Sequence, residues 1–121
     1  MIVLDASAAI EMLLMTAKGN AVYARIGKET LHAPHLLDLE IAQVLRRAIM
    51  SKQVTEQRAS AALSDWLNFS LSRYDHDVLL QRVWALRKNV TAYDAAYLAL
   101  AEILGAPLVT CDLRLAKAPG H

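Results

Sequence analysis

The 121-residue sequence predicts an α/β protein in which a short parallel sheet is covered by helices. Three observations carry that expectation. Short apolar segments alternate with longer segments of helical period, the pattern of strands joined by crossover helices. The opening run, Met1-Ile-Val-Leu4, is apolar without interruption, as a strand buried on both faces requires. It ends in Asp5 and passes at once into a helix near Ser7, and ligands of open α/β sheets bind beyond the carboxyl ends of the strands. Asp5 and Ser7 are also good helix N-caps, so this stretch alone supports a cap and a functional acid equally.

The remaining elements follow in order. A helix over residues 7–14 leads to a turn at Lys18-Gly-Asn20 and a short helix over 21–26, ended by Gly27. Residues 30–33 read as a second strand closed by Pro34, which lacks the N–H needed to extend a central ladder. A long helix over 36–51 shows apolar Leu37, Ile41, Val44, Leu45 and Ala48 at helical spacing, flanked by Glu40, Gln43, Arg46 and Arg47. Thr55 caps a helix whose stripe is Ala59, Ala62, Leu63, Trp66 and Leu67. Residues 71–74 form a weak third strand, and Asp75 caps a helix over 76–89 with Val78, Leu79, Val83 and Leu86 inward. A helix over 91–104 ends at Gly105 and is stopped by Pro107. Residues 108–110 are the fourth strand, followed by Asp112 and a helical turn over 113–117.

Composition narrows the function classes. The chain is long enough for one domain, residues 1–121, to bury its own core. An apolar fraction of 55% with few glycines and prolines excludes disorder and leaves room for an apolar face covered by another chain. A single cysteine, Cys111, excludes an internal disulfide and suits a reducing compartment, hence a cytoplasmic location. Neither a signal peptide nor a membrane-spanning run is visible. A formal charge of +1 provides no global basic field, so contact with nucleic acid would come from local clusters.

Four acids stand out: Asp5, Glu40, Asp94 and Asp112. Asp5 and Asp112 follow strands. Asp94 sits in the first turn of a mostly apolar helix with no basic residue at i+3 or i+4, although the helix dipole alone favours an acid there. Glu40 lies beside an apolar stripe, with Asp38 as a nearby competitor. Converging carboxylates repel one another and resist desolvation unless a cation is present. A hard divalent ion, Mg²⁺ or Mn²⁺, suits such oxygen ligands and can activate a water against a phosphodiester. For each acid taken singly, a cap or a solvated helix face is the commoner explanation; the set is the stronger signal.

On these residues the chain resembles the PIN-domain ribonucleases, and among them the VapC toxins of prokaryotic toxin–antitoxin pairs. The matching segments are Val3-Leu-Asp-Ala-Ser7, Ala33-Pro-His-Leu-Leu-Asp-Leu-Glu40 with Val44-Leu-Arg-Arg-Ala48, Thr91-Ala-Tyr-Asp-Ala-Ala-Tyr-Leu-Ala-Leu-Ala101, and Pro107-Leu-Val-Thr-Cys-Asp-Leu-Arg-Leu-Ala116. They run in the family's order over nearly the whole chain. The resemblance implies a three-layer α/β/α sandwich around a parallel sheet of four to five strands. It implies that Asp5, Glu40, Asp94 and Asp112 hold one or two Mg²⁺ or Mn²⁺ ions for cleavage of a structured RNA, tRNA or rRNA. Ser7 and Thr110 would be hydroxyl groups supporting the ligands. It further implies a homodimer and a VapB-type antitoxin. Family members usually continue into a final short strand after the last helix, whereas this sequence stops at Gly120-His121.

Other residues carry weaker signals. Arg114, which opens a helix, is the best candidate for RNA contact, ahead of Arg87, Lys88, Arg46 and Arg47, which also suit helix C-termini. His32, His35, His76 and His121 show no metal-ligand spacing, and Cys111 has no histidine partner. Tyr93 and Tyr97 read as packing or interface residues, Trp66 and Trp84 as core, and Met12, Leu13, Leu14 and Met15 as core or a peptide groove. Two other classes compete. A phosphate-receiver signalling domain needs an acidic pair after the first strand and a lysine after a late one; a non-catalytic binding module would lack part of the acidic set. A dinucleotide enzyme is disfavoured, because no Gly-x-Gly-x-x-Gly follows the first strand.

Overall fold

The computed structural model describes residues 1–117. Its elements are β1 (Ile2–Leu4), α1 (Ala6–Leu13), α2 (Ala17–Ile26), β2 (Leu31–Pro34), α3 (Leu36–Met50) and α4 (Glu56–Leu67), then β3 (Ser72–Tyr74), α5 (Leu80–Ala85), α6 (Ala92–Leu104), β4 (Leu108–Val109) and α7 (Leu113–Ala116). The sheet is parallel throughout, in the order β3-β2-β1-β4. The chain thus starts in the middle of the sheet, builds outward through β2 and β3, and returns to the other side for β4. Right-handed crossovers then place α1–α4 on one face and α5–α6 on the other. This is the expected three-layer sandwich. The reversal between β1 and β4 creates a switch point, with a crevice outside the carboxyl ends of both strands.

Burial explains why such short strands persist. Ile2, Val3 and Leu4 are fully enclosed, with Leu37 and Ile41 of α3 and Tyr97 and Leu100 of α6 in the same cluster. A smaller cluster joins Leu86, Ala95, Leu98 and Leu115, tying α7 to the α6 face. On the other face, Asp38 of α3 links three elements. It accepts hydrogen bonds from Trp66 Nε1 of α4 at 2.7 Å and from Arg73 Nε of β3 at 2.7 Å. Burial pushes the Asp38 carboxyl up, but the bonds from Arg73 and Trp66 prevail and hold it below its ordinary value.

Several boundaries differ from the sequence reading. Lys18, Gly19 and Asn20 lie inside α2 rather than in a turn. Thr16 caps the helix, its hydroxyl accepting from Gly19 N–H at 3.0 Å, and the absent side chain of Gly19 is what lets α2 press on α1. A Cβ there would stand 2.6 Å from the Glu11 carbonyl carbon. Pro34 is the last residue of β2 rather than its stop, paired with Tyr74. Alternate residues of a strand face the same neighbour, and His35 N–H bonds Tyr74 O, so Pro34 presents its bare nitrogen toward β1, where the register has already ended. The helix expected over 76–89 is reduced to Leu80–Ala85, and Asp75 does not cap it but pairs with His35 Nε2 at 3.1 Å. Trp84, read as core, is 66% exposed under the Arg87 guanidinium, and Val78, Leu63 and Leu67 are likewise exposed. The implied final strand and His121 lie outside the described residues.

One buried polar group makes stability depend on pH. His32 of β2 is enclosed, with Nδ1 2.7 Å from the Tyr74 hydroxyl and Nε2 2.9 Å from the Thr30 hydroxyl. Burial disfavours its charged form and pulls its pKa below the usual 6.5. The unfolded chain therefore binds a proton that the folded chain refuses, and the folded state loses stability as pH falls below 6.5. Urea midpoints measured from about pH 7.5 down to about 5 are expected to fall in the wild type and to fall less in His32→Gln.

Candidate functional site

The crevice at the switch point gathers the four acids from four different elements. Asp5 is the residue between β1 and α1, and it does both things the sequence allowed. Its Oδ1 caps α1, accepting from Ala8 N–H at 3.0 Å, and also takes the Ser7 hydroxyl at 2.8 Å. Its Oδ2 takes the Thr110 hydroxyl at 2.5 Å, across the gap to the end of β4. Ser7 and Thr110 are themselves tied in: Ser7 Oγ accepts from Cys111 N–H at 2.9 Å, and Thr110 Oγ1 accepts from Asp112 N–H at 3.0 Å. The two hydroxyls therefore fix the loop after β4 to the start of α1.

The other acids are placed by their helices. Thr91 caps α6, accepting from Asp94 N–H at 3.2 Å, which holds Asp94 in the first turn facing the crevice. Asp112 caps α7, taking Arg114 N–H at 2.9 Å and Leu115 N–H at 3.3 Å on Oδ1. Glu40 stands half-buried on α3 and accepts the phenol proton of Tyr97, one turn beyond Asp94 on α6. Arg114, 72% exposed, spans two of the acids: Nη2 lies 3.1 Å from Asp94 Oδ2 and 3.3 Å from Asp112 Oδ2.

Electrostatics show that these groups feel one another. Burial pushes the Asp5 carboxyl above its ordinary value despite the bonds from Thr110, Ala8 and Ser7, and the charge of Asp112 adds to the rise. Glu40 is raised chiefly by burial, against which the Tyr97 bond pulls it down, and the charges of Asp94 and Asp5 add smaller upward pushes. Tyr97 is pushed far up by burial and by Glu40, so its phenol remains a donor. The donor set is all oxygen, and among the described residues Arg114 is the cation ion-paired to it, so four carboxylates face one paired charge, which suits a hard divalent ion in kind. As placed, the carboxylates do not close into a shell: among the described residues no three acidic, histidine or cysteine side chains are gathered tightly enough to hold an ion.

The remaining sequence candidates fall elsewhere. Arg87 donates to Trp84 O and stacks on the Trp84 ring, and Lys88 follows it; no described contact carries either to the acids. Arg46 lines a groove with Ile10, Leu14 and Met50, away from Glu40, while Arg47 reaches both that groove and the cavity beside Glu40. The half-buried Cys111 thiol is pushed up by burial, against a role as nucleophile. Tyr97 is the residue that sequence reasoning set aside. Its signal was there: three residues after Asp94, it shares that acid's face of the helix.

The PIN domain family model matches residues 2–120. The chain belongs to that family. Among curated proteins it is similar to Ribonuclease VapC12 of Mycobacterium tuberculosis, 42% identical over 121 residues, covering 100% of this chain and 94% of the relative. Ribonuclease VapC1 of the same organism is 44% identical over 120 residues, covering 98% of this chain and 90% of the relative. Of solved structures, PAE2754 from Pyrobaculum aerophilum superposes with a TM-score of 0.70 at 29% identity, covering 98% of this chain and 80% of that one. VapC20 of M. tuberculosis, described as a toxin that cleaves the sarcin–ricin loop, shares the fold with a TM-score of 0.66 at 13% identity, covering 96% and 93%. The PIN fold is thereby established, and with it membership among the VapC proteins. Among the described residues no helix is long and apolar enough to cross a membrane.

Proposed function

We propose that this protein is the ribonuclease toxin of a toxin–antitoxin pair, cutting a structured RNA such as tRNA or rRNA at the Asp5–Glu40–Asp94–Asp112 crevice. The observation that carries the reading is the convergence of these acids at the switch point of a PIN fold, where Asp112 pushes Asp5 up and Asp94 and Asp5 push Glu40 up. Asp5, Glu40, Asp94 and Asp112 would hold one or two Mg²⁺ or Mn²⁺ ions. Such an ion, when bound, polarises a phosphate and lowers the pKa of a water. The chain's own residues prepare the site. Ser7 and Thr110 fix both carboxylate oxygens of Asp5, Tyr97 fixes Glu40, and Arg114 stands at the mouth with a guanidinium suited to phosphate. We further propose a cytoplasmic homodimer and a VapB-type antitoxin, following the family. The receiver reading finds no support: Asp75, at the end of the edge strand β3, is paired with His35, and Cys111 to Arg114 contain no lysine.

The test is cleavage of a total small-RNA pool by antitoxin-free protein with Mg²⁺, with Mn²⁺ and with EDTA. Discrete fragments in both metal lanes and none in EDTA are the expected outcome. Fragments that persist undiminished in EDTA would overturn the metal-dependent reading.

A further inference from the structure

Beside the acids, and sharing Glu40 with them, lies a cavity of about 590 Å³. Its lining includes Tyr93, 67% exposed and next to Asp94 in sequence, and the apolar Leu36 and Leu39 of α3. Glu40, Gln43 and Arg47 follow one another at i, i+3 and i+7, so one face of α3 carries a carboxylate at the acid crevice, then an amide, then a guanidinium. His35 and His76, at the ends of β2 and β3, close the rim. His76 Nε2 accepts the Leu36 N–H at 3.0 Å, which leaves its Nδ1 as the protonated nitrogen.

We infer that this cavity is a nucleotide subsite, binding one unpaired base and the phosphate beside it on the strand that crosses the acids. A nucleotide presents a flat apolar face, a hydrogen-bonding edge and an anion. Here Tyr93 offers an aromatic face for stacking, Gln43 offers a donor and an acceptor to a base edge, and Arg47 offers a cation at the end of the cavity away from Glu40. Continuity with the acid crevice through Glu40 and the Tyr93–Asp94 step makes RNA the occupant, since a strand seated there delivers its next phosphate to the acids. The inference rests on the ribonuclease reading and deepens it: it names the element that holds the substrate's unpaired base.

The experiment measures binding of a short random-sequence single-stranded RNA to the full chain by fluorescence anisotropy in EDTA, across a salt series. Tyr93→Ala is expected to weaken binding roughly tenfold with the salt slope unchanged, while Tyr93→Phe and Tyr93→Trp retain it. Arg47→Gln is expected to weaken binding and to lower the salt slope by about one, the signature of a lost phosphate contact. The exposed position of Tyr93 predicts an unchanged unfolding midpoint for its variants. The inference is overturned if Tyr93→Ala binds RNA as the wild type does, or if its RNA affinity changes only together with its sedimentation mass, which would make the cavity a protein interface. Cleavage by the same proteins with Mg²⁺ reports separately on the ribonuclease reading: wild-type fragments alongside a Tyr93→Ala protein of unaltered RNA affinity remove the subsite and leave the enzyme.

Discussion

Asp5→Asn is expected to reduce RNA cleavage by about a thousandfold and, in EDTA, to unfold a few degrees above the wild type. The two effects have one origin. Asp5 is only 4% exposed and carries a charge that burial and Asp112 both disfavour. Asparagine has the same shape and caps helices equally well, so Ala8 N–H keeps its acceptor. The amide nitrogen can donate to Thr110 Oγ1 once that hydroxyl turns to Ser7 Oγ, 3.1 Å away, so no buried polar group is orphaned. What is lost is the negative charge, which the proposed metal-dependent cleavage would need and folding does not. Calorimetric melting in EDTA beside the cleavage assay checks both halves. An Asp5→Asn protein that cleaves normally would remove Asp5 from the chemistry, and one that melts below the wild type would mean that its hydrogen bonds outweigh the repulsion.

Trp66→Ala is the largest expected effect on stability, about 3–5 kcal/mol. Trp66 is 1% exposed, packs beside Phe69 with ring centroids 5.6 Å apart, and has the Arg73 guanidinium 5.9 Å from its ring centroid. Removing the indole opens a cavity between α3 and α4 and takes one of three donors from Asp38. Domains of this kind have a total stability of about 5–15 kcal/mol, so the variant would retain a small margin at best. Urea titration gives the loss directly. Trp66→Phe, which keeps most of the volume but not the N–H, is expected to fall between the two proteins, and equal midpoints for Trp66→Ala and the wild type would contradict the packing described.

The sequence revealed most where local pattern and global role coincide. β1 was legible because three enclosed residues at the middle of a sheet must all be apolar, and α3 and α6 because long amphipathic or buried helices leave an unambiguous period. Asp5, Asp94 and Asp112 were legible as acids at strand ends and helix starts, and the structure brings them to one crevice with Glu40. What escaped depends on contacts between distant segments. The span over 76–89 has helical period, yet Asp75 is taken by His35 and only Leu80–Ala85 winds fully. Trp84 looked like core by hydrophobicity alone, although its ring faces outward beneath Arg87. Asp38 and Glu40 are two residues apart and chemically alike, and only the fold directs one to Trp66 and Arg73 and the other to the acids.

Thr110 stands 105 residues after the carboxylate it bonds. At a synthesis rate of about 5–20 residues per second, a ribosome delivers Asp5 roughly 5–20 seconds before Thr110 and Asp112. During that interval β1 can pair with β2, yet the crevice has only one wall. Asp94 is made without Arg114 to pair with it, and nothing yet ties the end of β4 to the start of α1. A chain interrupted before β4 therefore leaves the ribosome with its acids unassembled. For a protein whose finished site would cut the RNA around it, the strand order postpones competence until the whole domain has been made.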